Sequence, residues 1–321
     1  MRDIPKPTPT GKQVLVRAEA ASVNRADLDG MLPRWQFLRL AFGLRRPRQH
    51  RLGLDVAGVV EAVGEEVTRF KVGDRVFGDL FSYGQGAFAE YVCAREKAFE
   101  PIPDDMSFEV AATLPHSAVL ALQGLRLGNG RTAGQGDRVL IVGASGNVGP
   151  FAVQIAKSRG AHVTGVASTD KLDFVRSLGA DEVIDYRTTD YTRPAQPYDW
   201  ILDVDAHHPL RRWRRALKPR GVYLAEGGSG GWLLSLLFWQ PIMKLTTDKT
   251  MGLLLNWKPF NPPDVDELKR LVTIGAVKPA IDRRYPLDQV ADALTYVHDG
   301  HARGKVLVTT QDLVPSPRAT S

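Results

Sequence analysis

A chain of 321 residues, 43% of them hydrophobic, can bury a sizeable core and suits two domains better than one, which excludes a disordered protein. Its single cysteine, Cys93, excludes a disulfide framework, and the opening "MRDIPKPTPTGKQ" has no apolar signal core, so the expected setting is a reducing cytoplasm. The net charge of +6, from 42 basic against 36 acidic residues, includes two basic clusters, Arg45 to Arg51 and Arg211 to Arg215. With no base-stacking motif or zinc finger beside them they read as a solvated loop and a polar helix face, and nucleic acid is not expected as a ligand.

From Val14 to about Val92 short apolar runs such as "VLVRAEAASV", "VAGVVEAV" and "AFAEYV" are separated by glycine-bearing turns such as "KVGDRVFG", the pattern of a small, mostly β domain. The pattern turns helical around Ala111. Strands and helices then alternate: "RVLIVG", a helix closed by Gly160, "HVTGVA", a helix from Lys171 to Leu178, "EVIDY", "WILDV", another helix, and "GVYLAEGG". That alternation predicts a parallel sheet wound on both faces. The most apolar run, "WLLSLLFW" from Trp232 to Trp239, is closed by Pro241 and Lys244, short of the ~20 residues of a bilayer span. It reads as core or contact surface, and no membrane partner is expected. Past Trp257 come the helix "DVDELKRLVTIG", a second helix with Leu287, Val290, Ala291, Leu294 and Val297 on one face, and a last strand "KVLVTT".

The loop Gly143, Ala144, Ser145, Gly146, Asn147, Val148, Gly149 follows the strand Val139 to Val142, and Pro150 sits in the first turn of the next helix. Strand, glycine turn and helix form a phosphate cradle, because glycines let the backbone turn tightly and approach a ligand while free amides and the positive helix end face a pyrophosphate. In the usual dinucleotide spacing the first glycine would fall at Ala144, so the match is to a variant. "GASGN" is not a nucleophile elbow, since Asn147 stands where the last glycine belongs, and "STDK" fits a serine hydrolase motif by letters only. Ser168 lies about twenty residues on, where an NAD site usually places an acid for the ribose hydroxyls. Here the chain reads "VAST", so Ser168 as a donor and Lys171 as a charge favour NADPH over NADH; Asp170 turning inward, or Lys171 facing solvent, would weaken that preference.

These segments, with "ASVNRADL", "GLDVAGVVEAVGEEVTRFKVGDRVFG", "GAFAEYV", "AATLP", "SLGADEVIDY" and "GHARGKVLV", make nearly the whole chain resemble a medium-chain dehydrogenase/reductase of the quinone oxidoreductase, or zeta-crystallin-like, branch. The resemblance implies an α/β protein with a GroES-like, mostly β catalytic domain over residues 1–113, a Rossmann NADP-binding domain over 114–256, and a return to the first domain over 257–321. It implies that the cleft between the domains holds the nicotinamide. It also implies that Ser168, Lys171 and Tyr186 contact the 2′-phosphate side, and that Val204 and Gly227 lie on loops reaching the nicotinamide end. Homodimerisation through "MGLLLNW" at Met251 to Trp257 is implied too, unless that strand is internal. Met1 falls where relatives are already completing their second strand, so the opening strand pair is expected to be largely absent and a sheet edge exposed in the first domain, and a longer N-terminus is expected to raise the melting temperature.

Zinc needs Cys, His or acidic ligands, and where zinc-dependent relatives place a cysteine and a His-Glu pair this chain has Asn24, Leu54 and Asp55, so no metal is expected. Without zinc, hydride transfer suits a quinone or an α,β-unsaturated carbonyl, whose product anion is delocalised. Asn24 is the candidate polar contact to the acceptor, or else a turn-stabilising residue. Asp29 stands where relatives often carry Tyr, Lys or His; protonated it can donate, ionised it would repel an oxyanion. "DVDAHHP" at Asp203 to Pro209 departs from the family's valine-glycine turn. The acceptor pocket is expected to draw on "MLPRWQFLRLAFG" and on Trp232 to Trp239. A non-catalytic NADPH-binding protein of the same fold would share every cofactor residue, and turnover separates the two readings.

Overall fold

The computed structural model describes residues 3–31, 51–228, 230–254 and 257–310. In chain order the elements are β1 (Gln13–Val23), α1 (Arg25–Met31), β2 (Asp55–Val63), β3 (Arg75–Asp79), β4 (Tyr91–Arg95), β5 (Phe99–Pro101), α2 (Phe108–Thr113) and α3 (Ser117–Gly124). Next come β6 (Arg138–Val142), α4 (Gly149–Ser158), β7 (His162–Ala167), α5 (Leu172–Ser177), β8 (Glu182–Asp185), β9 (Tyr198–Asp203), α6 (Leu210–Ala216) and β10 (Leu217–Ala225). The chain continues with α7 (Gly230–Thr246), β11 (Thr250–Leu253), α8 (Pro262–Thr273), β12 (Ile281–Pro286), α9 (Val290–His298) and β13 (Lys305–Thr309).

They form two units, one from the chain up to His116 with Pro259–Val265 and the part from Ile281 on, the other from Ser117–Lys258 with Asp266–Ala280. Residues 266–280, placed by the sequence with the return to the first domain, thus group with the second unit. A two-way bond holds them there: Gln154 Nε2 donates to Lys278 O at 3.0 Å, and Lys278 N donates to Gln154 Oε1 at 2.8 Å.

The first unit is a sheet in the order β12-β13-β1-β2-β3-β5, with β4 also paired to β1. β1 bends through a register shift between Ala18 and Ala20, opposite Gly58. A Cβ on Gly58 would lie 2.1 Å from Arg17 O, so only glycine permits the close approach. Alternate side chains of these strands, among them Val14, Val16, Val56, Val76 and Val306, make the core, closed by Ala293, Leu294 and Val297 of α9. The α9 face differs from the expected one at one residue: Ala291 is exposed, and Ala293, two positions on, is buried. Leu287 and Val290 only flank the cluster, because the segment enters as a tight 3-10 turn before the α-helix begins.

The second unit is a six-stranded sheet in the order β11-β10-β9-β6-β7-β8, every pairing parallel. Two runs of strands leave β6 in opposite directions, so the order reverses between β6 and β9. This is the doubly wound Rossmann arrangement, which binds ligands beyond the strand C-termini at that switch point. Both faces of the central strands are covered, and Val139, Leu140 and Ile141 are fully buried. Pro241 does not close the apolar run as expected, since α7 continues through it. Trp232, Leu236 and Met243, on both sides of the proline, are buried in the core. Each such burial contributes about 1.5–3 kcal/mol, against the ~3 kcal/mol that an internal proline costs. β11 forms an edge of the sheet, not an internal strand. Among the described residues no helix is long and apolar enough to cross a membrane.

Candidate dinucleotide and acceptor sites

The loop after β6 is built as a cradle. Gly143 turns the chain with φ of +77°, Ala144 N donates to Val166 O of β7 at 3.0 Å, and Gly146 N donates back to Gly143 O at 3.1 Å. A Cβ on Gly149 would lie 2.2 Å from Gly143 O and 2.5 Å from Ala144 Cα, so the loop folds over the start of α4 only because that residue is glycine. Ala144, in place of the usual first glycine, is buried, and a Cβ on Gly165 of β7 would lie 3.1 Å from its methyl. The missing side chain has moved from the loop to the strand. Val148 caps α4 without a side-chain hydrogen bond, and Pro150 follows in the first turn. Val148 thus leaves the first α4 amides without a bond from the N-cap side chain.

The C-terminal tips of β7 and β8 lie side by side, with Ala167 opposite Asp185, and bring together Ser168, Lys171 and Tyr186. Lys171 is only 7% exposed, so the solvent-facing alternative does not hold. Tyr186 is 52% exposed, its backbone N–H held by Ala167 O. The Ser168 hydroxyl donates to Asp170, which holds that carboxyl below its usual range. Arg187 Nη1 lies 3.8 Å from Asp170, and its guanidinium sits 5.9 Å from the Tyr186 ring. Arg187 was not singled out by the sequence; the available signal was a cation directly after the tyrosine at a strand tip.

Val204 and Gly227 meet beside the glycine turn. Val204 N donates to Val142 O at 3.2 Å, and a Cβ on Gly227 would lie 2.9 Å from Val204 O. The departure at 203–209 is accommodated. Asp205 N donates to Asp203 Oδ1 and its carboxylate pairs with His207 at 3.1 Å, while Ala206 is buried and bridges to Gly228. Burial pushes the Asp203 carboxyl up to about 7, against the opposing hydrogen bond from Tyr223. Glu226, at the tip of β10, also escaped the sequence reading. Among the described residues neither of its buried carboxyl oxygens has a hydrogen-bond partner, and burial raises its pKa well above the usual range.

In the first unit Asn24 is buried within a polar network. Its Nδ2 donates to Asp55 Oδ2 at 2.9 Å, and its Oδ1 accepts from Lys305 Nζ at 2.7 Å. Asp55 also receives Ser22 Oγ at 2.7 Å, Lys305 Nζ at 3.3 Å and the backbone N–H of His116 at 3.0 Å. Asp27 is structural, accepting from the backbone of Asn24 and Gly53, and burial pushes its carboxyl up to about 7. Burial depresses the His116 imidazolium, but the hydrogen bond and charge of Asp79 outweigh it and raise the pKa. Asp29 falls on α1 with its side chain outside the described residues, as do residues 32–50, including most of the expected pocket segment and Arg45 to His50.

The same network tests the site for zinc. Leu54 is a buried apolar residue, and the oxygens of Asn24 and Asp55 are held by a lysine ammonium, so neither thiolate nor imidazole stands in the ligand positions. These residues do not fit the metal. Among the described residues no group of three His, Cys, Asp or Glu could hold one.

The alcohol dehydrogenase GroES-like domain family matches residues 10–104, and the zinc-binding dehydrogenase family matches residues 178–308. The chloroplast envelope quinone oxidoreductase homolog of Arabidopsis thaliana is 34% identical over 95% of this chain and 92% of its own. The human mitochondrial NAD(P)H oxidoreductase RTN4IP1 is 31% identical over 92% of this chain and 81% of its own. The solved structure of the quinone oxidoreductase from Coxiella burnetii superposes with a TM-score of 0.84 at 27% identity, covering 97% of this chain and 94% of that one. With its GroES-like and Rossmann parts, the chain belongs to the quinone oxidoreductase family of the medium-chain dehydrogenases/reductases and is an NAD(P)H oxidoreductase.

Proposed function

We propose that the chain is an NADPH-dependent, zinc-independent oxidoreductase that passes hydride to a quinone or an α,β-unsaturated carbonyl. The observation that carries the reading is the glycine cradle from Gly143 to Gly149, with Lys171 and Arg187 at the neighbouring strand tips. Two cations there favour a 2′-phosphate, and the two acids beside them are engaged locally, Asp170 by Ser168 and Asp185 by Thr169 and the backbone N–H of Arg187.

The fit to a nicotinamide dinucleotide is good. The amides of Ala144 to Val148 and the start of α4 would hold the pyrophosphate, Ser168, Lys171, Tyr186 and Arg187 the adenosine phosphate, and Val204 and Gly227 the nicotinamide end. The bound cofactor supplies the hydride. A conjugated acceptor delocalises the resulting anion, so hydrogen bonds and a solvent proton suffice where simple alcohol oxidation needs a metal or a strong base. Lys305, holding Asn24 and Asp55, supports zinc independence.

The test is NADPH consumption, followed by absorbance, against naphthoquinones, alkenals and cyclic enones, with NADH as control. Oxidation of NADPH by at least one class, unaffected by chelators, is expected; zinc that survives chelation and carries the activity would overturn it. A non-catalytic NADPH-binding protein is the second reading, favoured by one observation: the Asn24 carboxamide is already taken by Lys305, Asp55 and Ser22 O. Tight NADPH binding without turnover across the panel would select it. Homodimerisation through the β11 edge and a cytoplasmic setting complete the proposal.

A further inference from the structure

The two segments left over from the cofactor site, Arg211 to Arg215 and the apolar α7, meet at one place. A cavity of about 620 Å³ is lined by Arg211, Arg214, Arg215, Thr246, Asp248 and Lys249, among others. It lies at the end of α6 and before the first residue of β11. In a parallel sheet that is the end opposite the glycine loop, which follows the last residue of β6. The cavity is therefore separate from the dinucleotide cradle.

Arg211, Arg214 and Arg215 are spaced so that they share one face of α6, while Trp213 on the other face is buried. Among the described residues no carboxylate pairs with any of the three. Asp248, the one acid in the lining, accepts the backbone N–H of Arg220. Lys249 Nζ donates at 2.6 Å to the carbonyls of Arg214 and Leu217, fixing the corner.

Beside this cationic cavity α7 is apolar on both sides. Trp232, Leu236 and Met243 face the core, yet Trp239, Ile242 and Leu245 are 53%, 47% and 89% exposed. Thr246 of the lining directly follows Leu245 in α7, so the basic cavity and the exposed apolar residues adjoin at the end of that helix. A helix apolar all round needs a second apolar environment.

We infer that the cavity formed by Arg211, Arg214, Arg215 and Lys249, with the exposed Trp239, Ile242 and Leu245, docks the protein on the surface of an anionic phospholipid bilayer. Guanidinium groups match lipid phosphates, and Trp, Ile and Leu side chains suit the boundary between headgroups and acyl chains. A second copy seated on this patch would offer the four cations of the lining a single acid of its own lining, Asp248. Nucleic acid would leave Ile242 and Leu245 unused. The docking is peripheral and revises the expectation of no membrane partner.

The test is co-sedimentation of the full chain with vesicles of phosphatidylcholine alone and of phosphatidylcholine mixed with phosphatidylglycerol, with analytical ultracentrifugation in parallel. Binding is expected only to the anionic vesicles and to weaken with salt. Arg211→Gln, Arg214→Gln and Arg215→Gln should each lower it about fivefold. Leu245→Ser should weaken it at unchanged salt dependence, while NADPH binding in solution stays as in the parent. Circular dichroism confirms that each variant is folded. No binding to anionic vesicles, or binding that all four variants retain, overturns the inference. A fall in mass of the free protein on Leu245→Ser assigns the patch to a second copy instead. Salt-dependent DNA binding abolished by the arginine variants, with vesicles ignored, assigns it to nucleic acid.

Discussion

Lys305 Nζ donates to Asn24 Oδ1 at 2.7 Å, joining the last strand of the chain to the residue that the sequence marks as the acceptor contact. Burial pulls the ammonium below its usual pKa, and the Asp55 carboxylate opposes that shift. Removing one partner of a buried ion pair leaves the other uncompensated. Lys305→Met is therefore expected to cost about 3–5 kcal/mol in urea denaturation. Asn24→Ala should cost about 1–3 kcal/mol, because it leaves buried donors and acceptors unpaired. An Asn24→Ala protein within about 0.5 kcal/mol of the parent would show that the carboxamide serves the acceptor and not the fold.

Cofactor preference should depend on Lys171, Arg187 and Asp170 at the tips of β7 and β8. Lys171→Ala and Arg187→Ala are each expected to raise the Kd for NADPH about tenfold or more and to leave NADH nearly unchanged, since a charge-assisted bond to phosphate contributes about 1.5–3 kcal/mol. Asp170→Asn should act in the opposite sense, freeing Ser168 and removing a negative charge from the phosphate side. Fluorescence titration with both cofactors measures all three.

Much of this site was legible because its chemistry is local. Gly143, Gly146 and Gly149 follow a strand directly and precede a helix, and the alternation after them predicts the parallel sheet that places Ser168 and Tyr186 together. What stayed hidden depended on contacts distant in sequence. Lys305 meets Asn24 across 281 positions, and no spacing rule links a lysine of the last strand to an asparagine of the first turn. Glu226 reads as a polar residue after a strand, and its approach to Gly124 of α3 joins positions far apart in the chain. Pro241 looked like a stop because propensity is local, whereas the buried residues flanking it keep α7 continuous.

Gly149→Ala tests the cradle without touching a charge. In an open helix the change would stabilise by about 1 kcal/mol. Here the new Cβ would meet backbone atoms of Gly143 and Ala144 at 2.2 to 2.6 Å, none of which can move aside cheaply. A lower melting temperature and a loss of binding for both NADPH and NADH are expected. Equal loss for the two cofactors is the diagnostic, because the pyrophosphate is common to them, and retained binding with normal affinity would mean the loop holds nothing.

A Cβ on Gly124 would lie 2.2 Å from Glu226 Oε1 and 2.6 Å from Leu202 Cδ1, so the tips of two interior side chains would have to shift to admit it. Gly124→Ala should therefore destabilise despite its better helix propensity, and adding Glu226→Ala should recover part of the loss, a coupling that a double-mutant cycle measures. The pH dependence has a definite sign. Burial alone raises the Glu226 pKa well above the usual range, so the folded state holds its proton more tightly than the unfolded chain does. The resulting stability is fully present below the unfolded value of about 4.3 and is lost as pH rises through the folded value. Glu226→Gln, which mimics the protonated acid, should match the parent in acid and exceed it in melting temperature by a margin that widens toward alkaline pH. A margin that stayed constant with pH would mean the carboxyl finds a partner or water, and is ionised in the fold.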